Sequence, residues 1–393
     1  MWLPDYKIMT TVPCQGKATT FFQLLHNTPD LDGRDNRGKK HDMAFVLTGL
    51  TLAICCGRDG KLSRLHRHMA NHFEALCTAT QTWPDRVISR AQLPLLLAKV
   101  NGEVFTCLLF DWFGMVLSQE AKRWFTFDGK ELRGSVQPGH KRGEACVSAV
   151  AHDSGQVVSH TYYNGTKESE RPAVHQLLND SGLSGQKITL DALHLTPETT
   201  KAIHESEGTY LIALKTNQAH LYRYCFCNSL VNKAAYNRRD EPQRGHGRVE
   251  ERSYTCYLLK PNVLVARWRE AGMRACIKVD RSRKRLDGSQ ISQETCYYVT
   301  NACPTNQAEA DELFDAIRRH WLVEVMHYYR DVTLAEDGLK TKSQAISRLV
   351  SNLRTLTINL LKRIKPKNMA AQIDEFADNF NTLIQFMTQQ LIL

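Results

Sequence analysis

Three kinds of residue in this chain suit chemistry on a phosphodiester: aspartates where strands end, acids on one face of a helix, and clustered arginines. Asp128 follows the alternating run Lys122 to Phe127 and precedes Gly129, whose missing side chain would let a phosphate backbone come close. Lys130 and Arg133 add positive charge beside it. Asp-Gly at a strand end is also a common turn. Asp191 ends the apolar run Gln186 to Leu190, a poor place for a core residue and a good one for a metal ligand, with helix capping as the plain alternative. A third acid has to come from the helical stretch Arg318 to Asp331. There His320, Glu324, His327 and Asp331 recur at i, i+4, i+7 and i+11 and share a face. Asp331, Glu336 and Asp337 compete with Glu324, and spacing does not choose among them.

The chemistry such acids serve is in-line displacement at phosphorus assisted by two divalent ions about 3.5–4 Å apart. One ion activates the attacking water or 3′-hydroxyl, and the other stabilises the leaving oxygen. Carboxylate oxygens suit Mg²⁺ or Mn²⁺, and no Cys or His ligand is required.

The elements that must position these acids follow from periodicity. Lys122 to Phe127, Ala145 to Ala151 and Gln156 to Tyr163 read as a three-strand meander, with a turn at His152-Asp153-Ser154-Gly155. Glu170 to Asp180 has helical spacing, Gln186 to Leu190 is a strand, and Pro197 to Glu207 is a helix capped by Thr196. Tyr210 to Leu214 is a further strand. The order β-β-β-α-β-α-β is that of a ribonuclease H-like sheet, in which neighbouring central strands bring together Asp128 and Asp191, 63 positions apart. Strand-like runs recur at Glu251 to Leu259, Asn262 to Arg267 and Thr295 to Thr300, between basic loops. Those loops hold Arg238-Arg239, Arg244, Arg248, Arg281, Arg283, Lys284 and Arg285, which suit phosphate contacts. From Asn306 the chain is helical; Ile346 to Ile364 is a core helix ended by Pro366, and the tail is amphipathic.

Composition sets the bounds. A chain of 393 residues with 42% hydrophobic residues builds a real core, with two or three domains expected. The formal charge of +10 favours a polyanionic partner, nucleic acid first. Met43 to Cys56 is the longest apolar stretch, too short for a bilayer, and no signal peptide is evident, so a cytoplasmic location is expected. The 12 cysteines are scattered and lack paired C-x-x-C spacing, which points to reduced thiols used in packing. His66, His68 and His72 lie on a polar helix with no nearby carboxylate and read as ordinary side chains.

Several separated motifs together resemble one family, the H-repeat-associated insertion-sequence transposases within the DDE group. Phe127-Asp128-Gly129-Lys130-Glu131-Leu132-Arg133-Gly134-Ser135 resembles the first-Asp segment, Thr189-Leu190-Asp191-Ala192 the second, and Leu214-Lys215-Thr216-Asn217-Gln218 the strand after it. Val147-Ser148-Ala149 and Lys167-Glu168-Ser169-Glu170 fall in the expected places. Arg244-Gly245-His246-Gly247-Arg248 resembles a basic turn of an inserted β region. His320-Trp321-Leu322-Val323-Glu324, with Asp331-Val332 and Glu336-Asp337, resembles the third-acid helix. Asp35-Asn36-Arg37-Gly38-Lys39-Lys40-His41 resembles an associated N-terminal helical domain. Val325 departs from the usual Asn after the Glu, Met326 to Arg330 from a Leu-His-Trp pattern, and Leu193-His194 from the usual sequence after the second Asp.

The resemblance implies an α/β, ribonuclease H-like mixed sheet flanked by helices, with a β-rich insertion. It implies Asp128, Asp191 and Glu324 as catalytic and metal-binding triad for two Mg²⁺ or Mn²⁺ ions. The partner implied is double-stranded DNA at element ends and target, bound by a homodimer or higher assembly, with no membrane role. Lys130, Arg133 and the arginines of the insertion would hold phosphates, and His320 or His327 would approach the scissile region. The expected division is a helical region 1–118, a first core part 119–218, the basic insertion 219–300, core helices 301–365 and a tail 366–393. Two rivals share the sheet: a DNA-binding homologue without catalysis, and a ribonuclease H-like nuclease.

Overall fold

The computed structural model describes residues 19–393 apart from 36, 38, 58–59, 115–116, 118–119, 137–138, 246 and 261–263. Parts of the N-terminal and Arg244–Arg248 motifs, at Asn36, Gly38 and His246, thus lie outside the described residues. Ahead of the sheet run α1 (Phe21–His26), α2 (Met43–Cys55), α3 (Leu62–Asn71), α4 (Phe73–Thr80), α5 (Gln92–Leu97) and α6 (Gly102–Phe113). Asp42 caps α2 by accepting a hydrogen bond from the Phe45 amide at 2.7 Å. Every residue of α2 is buried, which explains its unbroken apolar sequence.

The meander is present as β1 (Trp124–Glu131), β2 (Ala145–Ala151) and β3 (Val157–Tyr163). It is followed by α7 (Lys167–Asp180), β4 (Lys187–Leu190), α8 (Pro197–Glu205) and β5 (Thr209–Leu214). β1 pairs antiparallel with β2 and parallel with β4, and β4 pairs parallel with β5. The order β3-β2-β1-β4-β5 is the ribonuclease H-like arrangement expected from the sequence.

Past β5 the chain extends the same sheet. The insertion opens with a helix, α9 (Ala219–Val231), ahead of β6 (Tyr236–Arg239), β7 (Gln243–Gly245), β8 (Arg248–Leu258), β9 (Ala275–Arg285) and β10 (Gln290–Thr300). β10 pairs with β5, so one 10-stranded sheet follows the path β3-β2-β1-β4-β5-β10-β9-β8-β6, with β7 paired to β8 off that path. The strand expected over 262–267 is absent from its described residues. Ala266–Ala271 forms a 3-10 turn that buries Trp268 and Ala271 against the face carrying α8. An indole anchor decides the local conformation there over the β-branched sequence.

The C-terminal region supplies α10 (Gln307–Arg319), α11 (Leu322–Tyr328), a π-helical turn Tyr329–Thr333, α12 (Gln344–Ile364), α13 (Met369–Asp378) and α14 (Phe380–Gln389). α7, α8 and α9 cover one face of the sheet through Val174, Leu177, Ile203 and Leu221. α10 covers part of the other face through Leu313 and Phe314. α12 is buried over most of its 21 residues and joins α1–α6, α13 and α14 in one core. The clasp is closed by backbone: the Phe21 and Phe22 amides donate to the Leu391 and Ile392 carbonyls at 2.7 and 3.0 Å. Among the described residues no helix is long and apolar enough to cross a membrane, and the described cysteines are free thiols, seven of them buried.

Sheet and helical core are joined by an ion pair with almost no access to water. Arg330 lies in the π-helical turn, and its Nε and Nη2 each donate to Glu336 at 2.8 Å. Ser351 of α12 takes a further bond from Arg330, and Arg354 lies 3.9 Å from Glu336. Lys130, buried on β1, reaches Asp331 at 2.5 Å and Glu336 at 3.8 Å. Burial alone would raise the Glu336 carboxyl, but the Arg330 guanidinium overrides it and holds the pKa at about 2. Its folded pKa lies below the ordinary 4.5, so the stability it contributes is present above that value and is lost as pH falls towards 2. Glu336→Gln is therefore expected to flatten the fall in melting temperature between pH 4.5 and 2. At neutral pH, Arg330→Met, which leaves Glu336 charged and poorly paired, is expected to cost about 3–5 kcal/mol. Thermal melting over a pH series checks both.

Candidate active site

The sheet register itself places the two aspartates. Thr126 on β1 pairs with Thr189 on β4. Two residues further along each parallel strand stand Asp128 and Asp191, on the same face because side chains alternate. Asp191 lies just past β4, and its Oδ1 accepts from the Leu193 amide at 2.9 Å, capping the 3-10 turn Ala192–His194. The capping role and the acid position are thus the same residue. The Asp128 side chain is only 28% exposed. Burial pushes its pKa up to about 7, with Asp191 and Glu170 as the next causes, while the Gly129 amide and His194 oppose the rise.

A stripe of α10–α11 runs along β1 above this pair. At its start, the His320 Nδ1 lies 2.8 Å from the Thr126 hydroxyl and 3.1 Å from that of Thr189, bridging the two strands two residues before their acids. His152 adds a contact to Thr189 at 3.1 Å. Further on, the His327 Nδ1 is 3.6 Å from Asp128, and Asp331 meets Lys130. Positions 320, 327 and 331 therefore track 126, 128 and 130 of β1. Burial pushes the His320 pKa down to about 4 and that of His327 to about 3, so both rings are neutral.

Glu324 lies on the same stripe between His320 and His327, but it is exposed, and burial raises its carboxyl above the ordinary range. It is not among the leading charges acting on Asp128. Among the described residues no three His, Cys, Asp or Glu side chains are gathered closely enough to hold a metal ion. The structure thus brings Asp128 and Asp191 together and leaves the Glu324 carboxylate outside the pair.

After burial and Asp191, the next group that raises Asp128 is an acid to which the sequence alone assigns no role. Glu170, in the first turn of α7, acts on Asp128 and accepts from the Tyr163 hydroxyl at 3.1 Å. A Cβ on Gly129 would fall 2.4 Å from the Tyr163 oxygen and 2.8 Å from the Glu170 carboxyl carbon. The room over Gly129 therefore belongs to this pair and not to an approaching phosphate. The only available signal was Glu170's place in the Lys167–Glu170 motif.

The basic residues fall into groups. Lys130 is buried in the ion-pair network, whereas Arg133 is exposed beyond the end of β1. In the insertion, Glu250 gathers Arg252, Arg281 and Arg283, the latter two at 3.1 Å. Burial would raise Glu250, but these arginines hold its pKa at about 2. Lys284 pairs with Glu251 at 3.5 Å. Arg244, Arg248 and Arg285 stand at the strand tips, where Arg248 faces Arg285 across β8 and β9. None of the ion pairs among the described residues involves these three. His66 bonds the Ile88 carbonyl at 2.7 Å, while His68 and His72 pack on Phe380.

Residues 106–360 match the family model described as transposase DDE domain. A putative transposase YncI of Escherichia coli O157:H7 is 25% identical over 276 residues, covering 69% of this chain and 70% of that one. The H repeat-associated putative transposase YhhI of Escherichia coli K12 is 26% identical over 261 residues, covering 65% and 68%. Among solved structures, a piggyBac transposase synaptic complex with hairpin DNA aligns over 95% of this chain and 81% of that one, at 10% identity and a TM-score of 0.43. With its family match spanning most of the sequence, the chain belongs to the DDE-domain transposases and is similar to their H repeat-associated members.

Proposed function

We propose that this transposase cleaves and transfers DNA strands at a centre built from Asp128, Asp191 and Glu324. The observation that carries the reading is the placement of Asp128 within β1 and Asp191 just past the end of the parallel strand β4, where burial first and the Asp191 charge next raise Asp128 to about 7. The donor chemistry fits a hard divalent cation, since two carboxylates that repel each other are relieved by positive charge between them. A bound pair of Mg²⁺ or Mn²⁺ ions would activate the nucleophile and stabilise the leaving oxygen.

The chain's own residues supply placement. Asp128 and Asp191 would hold the ions, and Glu324 would complete the ligand set from a helix whose neighbouring turns rest on β1 through His320 and His327. The reaction comprises two in-line displacements: water cleaves the strand at the element's end, and the freed 3′-hydroxyl attacks target DNA. Joining two ends calls for at least two copies of the chain on DNA. Arg244, Arg248 and Arg285, with Arg133, would meet phosphates. Arg281, Arg283 and Lys284 would support that surface from their carboxylate partners, and Lys130 would anchor β1.

Asp128→Asn and Glu324→Gln are each expected to lower Mg²⁺-dependent nicking of DNA carrying the terminal repeats by at least about a thousandfold. Nicking by Asp128→Asn at the wild-type rate would overturn the assignment. The rival of a DNA-binding homologue without catalysis draws on Glu324 standing apart from the aspartates, and a wild type that binds the repeats without nicking them would favour it.

A second outcome concerns stability. The folded pKa of Asp128 lies above the ordinary 3.8, so the folded state loses stability as pH rises from 3.8 through about 7. At pH 8 without divalent ions, Asp128→Asn is expected to melt at a higher temperature than the wild type, and Mg²⁺ is expected to narrow the gap. For DNA, each of Arg244→Gln, Arg248→Gln and Arg285→Gln is expected to reduce the slope of log K against log salt by about 0.9. Arg281→Gln and Arg283→Gln are expected to leave that slope unchanged and lower the melting temperature instead.

A further inference from the structure

Glu170 has both carboxylate oxygens engaged. Oε2 accepts from the Tyr163 hydroxyl at 3.1 Å, and Oε1 faces the His194 Nε2 at 3.3 Å. The same Nε2 lies 3.8 Å from Asp191 Oδ1. The His194 side chain is 1% exposed, and its Nδ1 has no hydrogen-bond partner, so the working edge of the ring is Nε2 alone. A proton on Nε2 lets the imidazole donate to Glu170, a tautomer inferred from the partners around it.

We propose that Tyr163, Glu170 and His194 form a positioning chain that fixes the two aspartates relative to each other. His194 closes the 3-10 turn that Asp191 opens and caps, so holding the ring holds the turn and the carboxylate on it. At the other end, the Tyr163–Glu170 pair presses on Gly129, the residue after Asp128, where even a methyl group has no room. The end of β3, the first turn of α7 that follows it and the turn after β4 are thereby tied to one point. None of the three residues is offered as an ion ligand; they act on the groups that would be. The inference rests on the reading of Asp128 and Asp191 as the cation-holding pair, and hydrogen-bond partners of ligands commonly set affinity by 10–100-fold.

The test is Mn²⁺ binding by the full-length chain, followed by electron paramagnetic resonance, together with kcat and KM for nicking. Glu170→Ala and His194→Leu are expected to weaken Mn²⁺ binding about tenfold and to lose nicking that added Mn²⁺ partly restores. His194→Gln, whose amide nitrogen takes the place of Nε2, is expected to recover most of the affinity, whereas His194→Asn, whose amide mimics the unused Nδ1, is not. A role in packing alone predicts no such difference between the amides, and equal behaviour of the two overturns the proposal. If the larger substitutions fail to fold, Tyr163→Phe removes one hydroxyl; about threefold weaker Mn²⁺ binding is expected, and an unchanged affinity overturns the proposal. Asp128→Asn separates the two levels. A wild type that binds no Mn²⁺ sinks the functional reading, while loss in Asp128→Asn with wild-type affinity in Glu170→Ala and His194→Leu sinks this inference alone.

Discussion

An arginine and a glutamate without access to water hold this molecule's two cores in register. Arg330 and Glu336 meet through two hydrogen bonds at 2.8 Å, with Arg354 from α12 on one side and Lys130 from β1 on the other. Four charges at one buried point are costly to desolvate unless every donor and acceptor is placed. That demand fixes the π-helical turn after α11 and so the phase of the helix above the sheet. His320 over Thr126 and Thr189, His327 beside Asp128 and Asp331 on Lys130 are consequences of that phase. The acids of the centre inherit their arrangement from a contact that performs no chemistry.

Much of this was legible in the amino-acid sequence because it is written in periodicity. The alternating run before Asp128, the apolar run before Asp191 and the stripe 320–324–327–331 each specify an element and a facing direction. Parallel pairing of β1 with β4 then follows from the order of elements. What could not be read is partnership. Lys130 in sequence is one more cation near an acid, and only the structure shows it buried against Asp331 and Glu336. Glu170 lies in the turn of a polar helix, 42 positions beyond Asp128, and comes near it through the β2–β3 hairpin. Gly129 invited a reading of open space because a sequence does not show what fills the gap.

The insertion teaches the same lesson about charge. Its cationic clusters look alike as letters, yet Glu250 converts one set into an internal brace while the strand tips keep Arg248 opposed to Arg285. Like charges directly across a strand pair weaken the pairing unless an anion lies between them. Continuity of the sheet from β5 into β10 places that tip on the same rigid surface as the aspartates, with no hinge between strands.

The backbone clasp between Phe21–Phe22 and Leu391–Ile392 bears on how the chain is made. At roughly 5–20 residues per second, a ribosome takes on the order of 20–70 s to travel from one side of that clasp to the other. Throughout that interval the nascent α2, apolar on every side, lacks α12, α13 and α14 as cover. The N-terminal helices therefore complete their folding only once α12, α13 and α14 have been made, and in the meantime present a greasy surface of the sort that chaperones hold.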